Sequence, residues 1–244
     1  MSCFGFYADI AGVKHLLKTD EEKVIGLIYG LGNDLHKIGE YSSRQNIGRL
    51  FVYQMGDGFM VQFDNVKYSS QNCHGTPDDM INFAVVLVQR FLVFHKGILH
   101  IGIASGEIYG LSESGFTFTN HANHNNGNGH HCGHGRFYLL PIMGTLLARA
   151  YSLTNQDVES KTRDHQPRLL IHSDLYDLMP ETFKKHLQEI KVLGEAKSKE
   201  PIYLKTIDHD QKNKHLYQEI WGETITPELI SESLGHYNRF ALTT

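Results

Sequence analysis

The sequence predicts an α+β sandwich with elements in the order β-α-β-β-α-β and helices on one sheet face. Apolar runs of strand length alternate with segments whose apolar residues recur every three or four positions. A glycine-flanked turn, Gly56-Asp57-Gly58, joins two of the strands. A second helix opens on a strong start signal, Thr76-Pro77-Asp78-Asp79.

Taken in order, Cys3 to Ile10 is an apolar, aromatic-bearing run that reads as a buried strand with Asp9 at its end. Asp20, Glu21 and Glu22 start a helix in which Val24, Leu27, Ile28, Leu31, Leu35 and Ile38 form one apolar stripe. Arg49 to Met55 and Phe59 to Phe63 are the arms of a hairpin whose tip carries Asp57. The helix from Thr76 runs to about Phe94, with a capping hydroxyl, an early proline and acids at the positive end of its dipole. Leu99 to Ala104 and Glu107 to Tyr109 are strands around Gly106. Leu139 to Leu153 is a helix, or a strand passing into a helix at Gly144. Arg168 to His172 is a strand, Asp174 to Met179 a short helix, and Pro201 to Thr206 a last strand. This body spans 1–208; residues 209–244 form a C-terminal extension with a small helix at Thr226-Pro227-Glu228-Leu229. The extension packs on the domain or on a partner subunit. Asn120 to Gly135 is rich in asparagine, glycine and histidine, without apolar periodicity, and is expected to be a mobile surface loop.

The composition, 41% hydrophobic and 20% charged, is that of an ordinary globular chain. A net charge of -4 gives no general attraction for nucleic acid or an anionic membrane. Three scattered cysteines make no disulfide framework, so a reducing cytoplasm is expected. The opening MSCFGFYADIAG has neither the basic nor the long apolar region of a signal peptide, and the longest apolar run is broken by Gln89 and Arg90.

Asp9 and Asp57 stand out because strand ends in an antiparallel sheet can meet. Two carboxylates at one sheet edge repel each other unless cations lie between them. Two such ions would stabilise the attacking and leaving oxygens of an in-line phosphoryl displacement. Taken singly, Asp57 reads as a turn aspartate and Asp9 as a polar strand end. His121, His124, His130, His131, Cys132 and His134 could ligate Zn²⁺ or Ni²⁺, but their asparagine- and glycine-rich setting favours a flexible insertion.

The wording around the two aspartates is more specific. Phe6-Tyr7-Ala8-Asp9-Ile10-Ala11-Gly12 resembles the F-x-D-I-x-G-F signature of class III adenylate and guanylate cyclases. Met55-Gly56-Asp57-Gly58-Phe59-Met60 resembles their I-G-D-G-F-M hairpin. Leu99 to Ile108 is similar to L-R-I-G-I-H-x-G-E-V, Leu170 to Leu178 to I-L-V-S-x-x-V-Y-x-L, and Glu200 to Leu204 to E-P-V-x-V-Y. Each match is short, and their order and spacing carry the weight.

The resemblance implies a ferredoxin-like βαββαβ palm with a His/Asn-rich insertion and a short C-terminal extension. It implies conversion of a nucleoside triphosphate to a 3′,5′-cyclic monophosphate and pyrophosphate. Asp9, Asp57 and the backbone carbonyl of Ile10 would hold two Mg²⁺ or Mn²⁺ ions. A homodimer would build composite sites from both subunits. Arg149 would reach the α-phosphate across that dimer, with Thr145 where the family has an asparagine. One of Lys191, Lys197 and Lys199 would bind the triphosphate. Three residues before Gly56, purine cyclases carry a base-reading residue; here it is Tyr53. Tyrosine at that position resembles the bacterial pyrimidine cyclases of the Pycsar antiphage systems, which implies UTP or CTP as substrate and a role in antiphage defence. An adenylate or guanylate cyclase and a catalytically inactive cyclase-like regulator are the alternatives. A dinucleotide cyclase of the GGDEF type is disfavoured, because the hairpin lacks that motif.

Overall fold

The computed structural model describes residues 3–48, 50–63, 75–110, 129–132, 135–138, 142–155, 158–159, 167–176, 178–179, 181–185, 187–192, 202–205 and 211–240. The chain opens with β1 (Cys3–Ile10), α1 (Val13–Thr19) and α2 (Glu21–Arg44). The hairpin of β2 (Leu50–Met55) and β3 (Gly58–Phe63) follows, then α3 (Pro77–Phe94) and β4 (Leu99–Gly106). Next come the short strands β5 (Tyr109–Gly110), β6 (Gly129–Cys132), β7 (Gly135–Tyr138) and β8 (Ile142–Met143), and then α4 (Thr145–Thr154). The remainder is β9 (Val158–Glu159), β10 (Arg168–His172), α5 (Ser173–Tyr176), α6 (Glu181–Lys184), β11 (Leu187–Val192), β12 (Ile202–Lys205), α7 (Gln211–Trp221) and α8 (Pro227–Phe240).

Eight strands form one sheet in the order β2-β3-β1-β4-β10-β12-β11-β9. β1 is an inner strand, antiparallel to both β3 and β4, and β10 joins β4 in parallel. The expected β-α-β-β-α-β order is therefore present in β1, α2, β2, β3, α3 and β4. Alternation along β1 sends Phe6, Ala8 and Ile10 into the main core. There they meet the stripe of α2 and helix α3, whose residues from Met80 to Val93 are almost all buried. An apolar circumference of that kind suits a helix enclosed on every side. Its start is fixed as the sequence predicts: Asp79 N–H donates to Thr76 Oγ1 (3.2 Å), and Thr76 N–H donates back to Asp79 Oδ2 (3.0 Å). Asp20 caps α2 likewise, accepting from Lys23 N–H at 3.0 Å.

Several expectations need correction. Helices cover both faces of the sheet, because α4 packs on the side opposite α2 and α3, against Tyr7, Met60 and Ala104. Two glycines of β4 make room for it. A Cβ on Gly102 would stand 2.2 Å from the Ala150 carbonyl oxygen, and one on Gly106 would stand 2.5 Å from the Leu146 nitrogen. Within the segment expected to be a mobile surface loop, 120–135, strand β6 pairs with β7 (His131 opposite Arg136); residues 120–128 and 133–134 lie outside the described residues. The short helix expected over 174–179 spans Ser173–Tyr176.

The C-terminal extension packs on the domain itself, and it holds α7 besides the expected helix. Leu216, Tyr217, Ile220, Trp221, Ile225 and Ile230 are buried in the same core as α2 and α3. A polar cluster ties them down. Asp34 of α2, 1% exposed, accepts from Trp221 Nε1 (3.1 Å) and pairs with His95 Nε2 (2.8 Å) and Arg90 Nε (3.5 Å). Arg90 also donates to Tyr217 Oη (3.1 Å) and to Glu223, and stacks over the Phe94 ring. No helix among the described residues is long and apolar enough to cross a membrane.

Candidate active site

The site is assembled on the sheet face that α4 partly covers. Alternation along β1 puts Gly5, Tyr7 and Asp9 on this face, since their neighbours enter the main core. The hairpin turn is two residues long, because Met55 pairs with Gly58. Gly56 takes φ +66, the left-handed conformation that a tight hairpin needs at its first central position and that glycine adopts without strain. Asp57 therefore sits at the tip. The β1–β3 register closes with Ala8 opposite Phe59, so Asp9 follows one step on, beside Gly58. The two predicted carboxylates are thus brought together.

Their electrostatics fit that closeness. Burial, and then the charge of Asp57, push the Asp9 carboxyl up to about 6, against a smaller lowering by Lys14. Among the described residues, neither carboxylate has a hydrogen bond or a salt bridge. Beside them lies Tyr7, which sequence reasoning passed over. Burial, followed by Asp9 and Asp57, raises its phenol above the ordinary range. Its hydroxyl donates to the Met55 carbonyl at 3.4 Å and lies where a Cβ on Gly58 would fall, 2.1 Å away. Its ring meets Tyr151 of α4 edge to face, at 5.2 Å. The glycine after Asp57 thus gives Tyr7 its place.

The two carboxylates fit a hard divalent cation. Such ions are held by one or two carboxylates completed by substrate phosphates, rather than by an all-protein cage. Accordingly, no group of three or more His, Cys, Asp and Glu among the described residues is arranged to hold a metal. Ile10, whose carbonyl the family resemblance adds to this set, is the last residue of β1, with its side chain buried.

The other predicted residues stand elsewhere. Tyr53 is half-buried on β2, opposite Met60, and packs against the cluster of Tyr7, Met60 and α4. Phe51 stacks beside it. Thr145 is the first residue of α4, and its hydroxyl oxygen accepts from Glu107 N–H at 2.9 Å. Arg149 donates through Nη1 to Asp174 and to the Ser105 carbonyl (3.2 Å). Ser105 lies opposite Phe4 and Asp9 opposite His100. Five residues of strand, roughly 16 Å, separate those two points. Arg149 and the carboxylates therefore occupy opposite ends of the β1–β4 pair within one chain.

No protein-family model matches the chain, and no curated protein matches it by sequence. Solved structures do match. A bacterial light-regulated adenylyl cyclase aligns with 96% of this chain at a TM-score of 0.52 and 14% identity. The guanylate cyclase domain of RhGC from Catenaria anguillulae, in complex with GTP, aligns with 84% of this chain and 96% of its own length, at 0.50 and 15%. A non-canonical dimeric guanylyl cyclase domain of the RhoGC fusion protein from the aquatic fungus Blastocladiella emersonii aligns with 84% and 95%, at 0.50 and 16%. The fold is that of a class III nucleotide cyclase catalytic domain. This cyclase-fold chain spans 58% of the length of the light-regulated adenylyl cyclase.

In the cyclase-fold sheet, Lys191 lies on β11, four strands from β1 and roughly 19 Å away at about 4.8 Å per strand. Lys197 and Lys199 fall outside the described residues. Asp174 is a second residue that sequence reasoning passed over. It falls at an unspecified position of the S-x-x-V-Y resemblance, and its partner lies 25 residues away.

Proposed function

We propose that the chain is a nucleotide cyclase: a homodimer that converts a nucleoside triphosphate, UTP or CTP in preference to ATP or GTP, to a 3′,5′-cyclic monophosphate and pyrophosphate. The observation that carries this is the Asp9–Asp57 pair, two mutually repelling carboxylates with no hydrogen bond or salt bridge among the described residues, on the hairpin and first strand of a cyclase fold. When bound, Mg²⁺ or Mn²⁺ would supply Lewis-acid activation of the ribose 3′-hydroxyl and charge neutralisation at the β- and γ-phosphates. The residues do the holding. Asp9, Asp57 and the Ile10 carbonyl would hold the cation pair. The ribose 3′-oxygen then attacks the α-phosphorus, its proton passes to solvent, and the bond between the α-phosphorus and the α–β bridging oxygen breaks to release pyrophosphate.

The pentavalent α-phosphate needs a fixed positive charge in line with this displacement. Arg149 stands at the wrong end of its own chain to supply it. That separation supports a site completed by the partner subunit's arginine, with Thr145 beside it and Lys191 or Lys197 on the triphosphate. Tyr53 shares the face of Asp9, where a phenol narrows the space for a bicyclic base and offers one group to a pyrimidine edge. Antiphage signalling follows from the pyrimidine reading alone.

Incubation of pure protein with ATP, GTP, CTP and UTP plus Mn²⁺, with chromatography of the products, tests the whole reading. Cyclic UMP or cyclic CMP as main product is expected. Cyclic AMP or GMP would restore the purine alternative and overturn the role given to Tyr53. No cyclic product from a folded protein would leave an inactive regulatory domain.

A further inference from the structure

We propose that Asp174 is a positioning residue. It holds the Arg149 guanidinium so that the remaining donors of that group face the α-phosphate of the partner's substrate. The inference rests on the reading of Arg149 just given.

The chain brings the two residues together through the sheet. β10 runs parallel to β4, with Ile171 opposite Ile103, so the start of α5 arrives beside Ser105. Helix α4 crosses the same strand at the gap left by Gly106. Arg149 reaches down from α4 and meets Asp174 Oδ2 and the Ser105 carbonyl oxygen. Asp174 is itself tethered. Its backbone N–H donates to Nδ1 of the buried His172 at 3.4 Å.

Both bonds from Arg149 use Nη1. Among the described residues, no contact engages Nε or Nη2, and the side chain is about a third exposed. This distinguishes two roles for the carboxylate. A carboxylate that occupies one whole edge of an arginine commonly does so fork to fork, through two parallel bonds. A one-point grip shared with a carbonyl fixes the plane of the guanidinium and leaves its other edge for an anion. Arginine has among the largest rotamer freedoms of any side chain. Fixing it before substrate arrives means that this freedom is not lost on the way to the transition state.

The test uses the full chain, Mn²⁺ and whichever of the four triphosphates the wild type converts best. Asp174→Asn keeps the shape and removes the charge. It should lower kcat about tenfold, the scale of one unfrozen side chain, with KM and melting temperature little changed. Arg149→Ala should lower kcat further, and adding Asp174→Asn to it should cost nothing more, because the two residues act as one unit. Asp174→Glu, with the charge displaced by one methylene, should fall between wild type and Asn and decides the matter if the Asn variant is unstable. Wild-type kcat in both Asp174 variants, a faster Asp174→Asn enzyme, or losses that multiply with those of Arg149→Ala would overturn the inference alone. An inactive wild type, or an Arg149→Ala enzyme as fast as wild type, would instead overturn the functional reading beneath it.

Discussion

Asp9 carries the clearest consequence at the scale of single residues. Its carboxyl binds a proton up to about pH 6 in the folded chain, through burial and the nearby Asp57 charge, against about 3.8 for an unperturbed aspartate. A raised carboxyl favours the fold below its ordinary pKa, and that contribution is lost as pH rises through about 6. At neutral pH the metal-free protein therefore holds a largely buried carboxylate that also faces the Asp57 charge, only partly offset by Lys14. Asp57→Asn should raise the melting temperature in chelator at pH 7.5, and the gain should fade toward pH 4. The same substitution should abolish cyclisation and the stabilisation by Mn²⁺. Thermal melts with and without Mn²⁺ check both halves; wild-type turnover in Asp57→Asn or Asp9→Ala would remove the main functional argument. Tyr53 gives a second test. Tyr53→Ala should lower pyrimidine turnover and narrow the preference over purine triphosphates, since one contact is worth roughly 1–3 kcal/mol. Competition assays with mixed triphosphates measure it, and an unchanged preference would clear Tyr53 of base reading.

At the scale of elements, the Asp34 cluster decides how firmly the C-terminal helices are held. Removing one partner of a buried charged pair costs about 3–5 kcal/mol, and a chain of this size loses roughly 2–4 °C per kcal/mol. Asp34→Ala should thus lower the melting temperature by about 10 °C in calorimetry; a loss of 2 °C or less would show that α7 is held by apolar packing alone. Several elements were legible beforehand because their signals are local. Thr76 and Asp79 lie three residues apart, the α2 stripe repeats within one segment, and Gly56-Asp57-Gly58 is its own turn. α4 on the opposite face was not legible, because Gly102 and Gly106 read as strand glycines until the helix above them is seen. α7 was hidden by polar neighbours, although Leu216, Tyr217, Ile220 and Trp221 keep helical spacing. At the site, the two aspartates were legible from motif wording. Tyr7 and Asp174 were not, since their partners lie 48 and 25 residues away in sequence.

At the scale of the whole molecule, the split between Arg149 and the carboxylates makes activity a property of pairs. Asp57→Ala chains should be inactive alone, and Arg149→Ala chains slow but measurable. Mixed in equal amounts, half of randomly formed dimers are heterodimers with one working site, so about a quarter of wild-type activity should return. Titration of one variant into the other while product is followed tests this, and no recovery would place Arg149 outside the partner's site. The roughly 16 Å between Ser105 and Asp9 along the β1–β4 pair also has a genetic reading. A chain carrying both substitutions offers its partner neither an arginine nor a pair of carboxylates, so every mixed dimer is silent at both sites. An equal dose of that chain, added to wild type with free exchange of subunits, should cut total output by about half. A loss-of-function allele of this kind would behave as dominant.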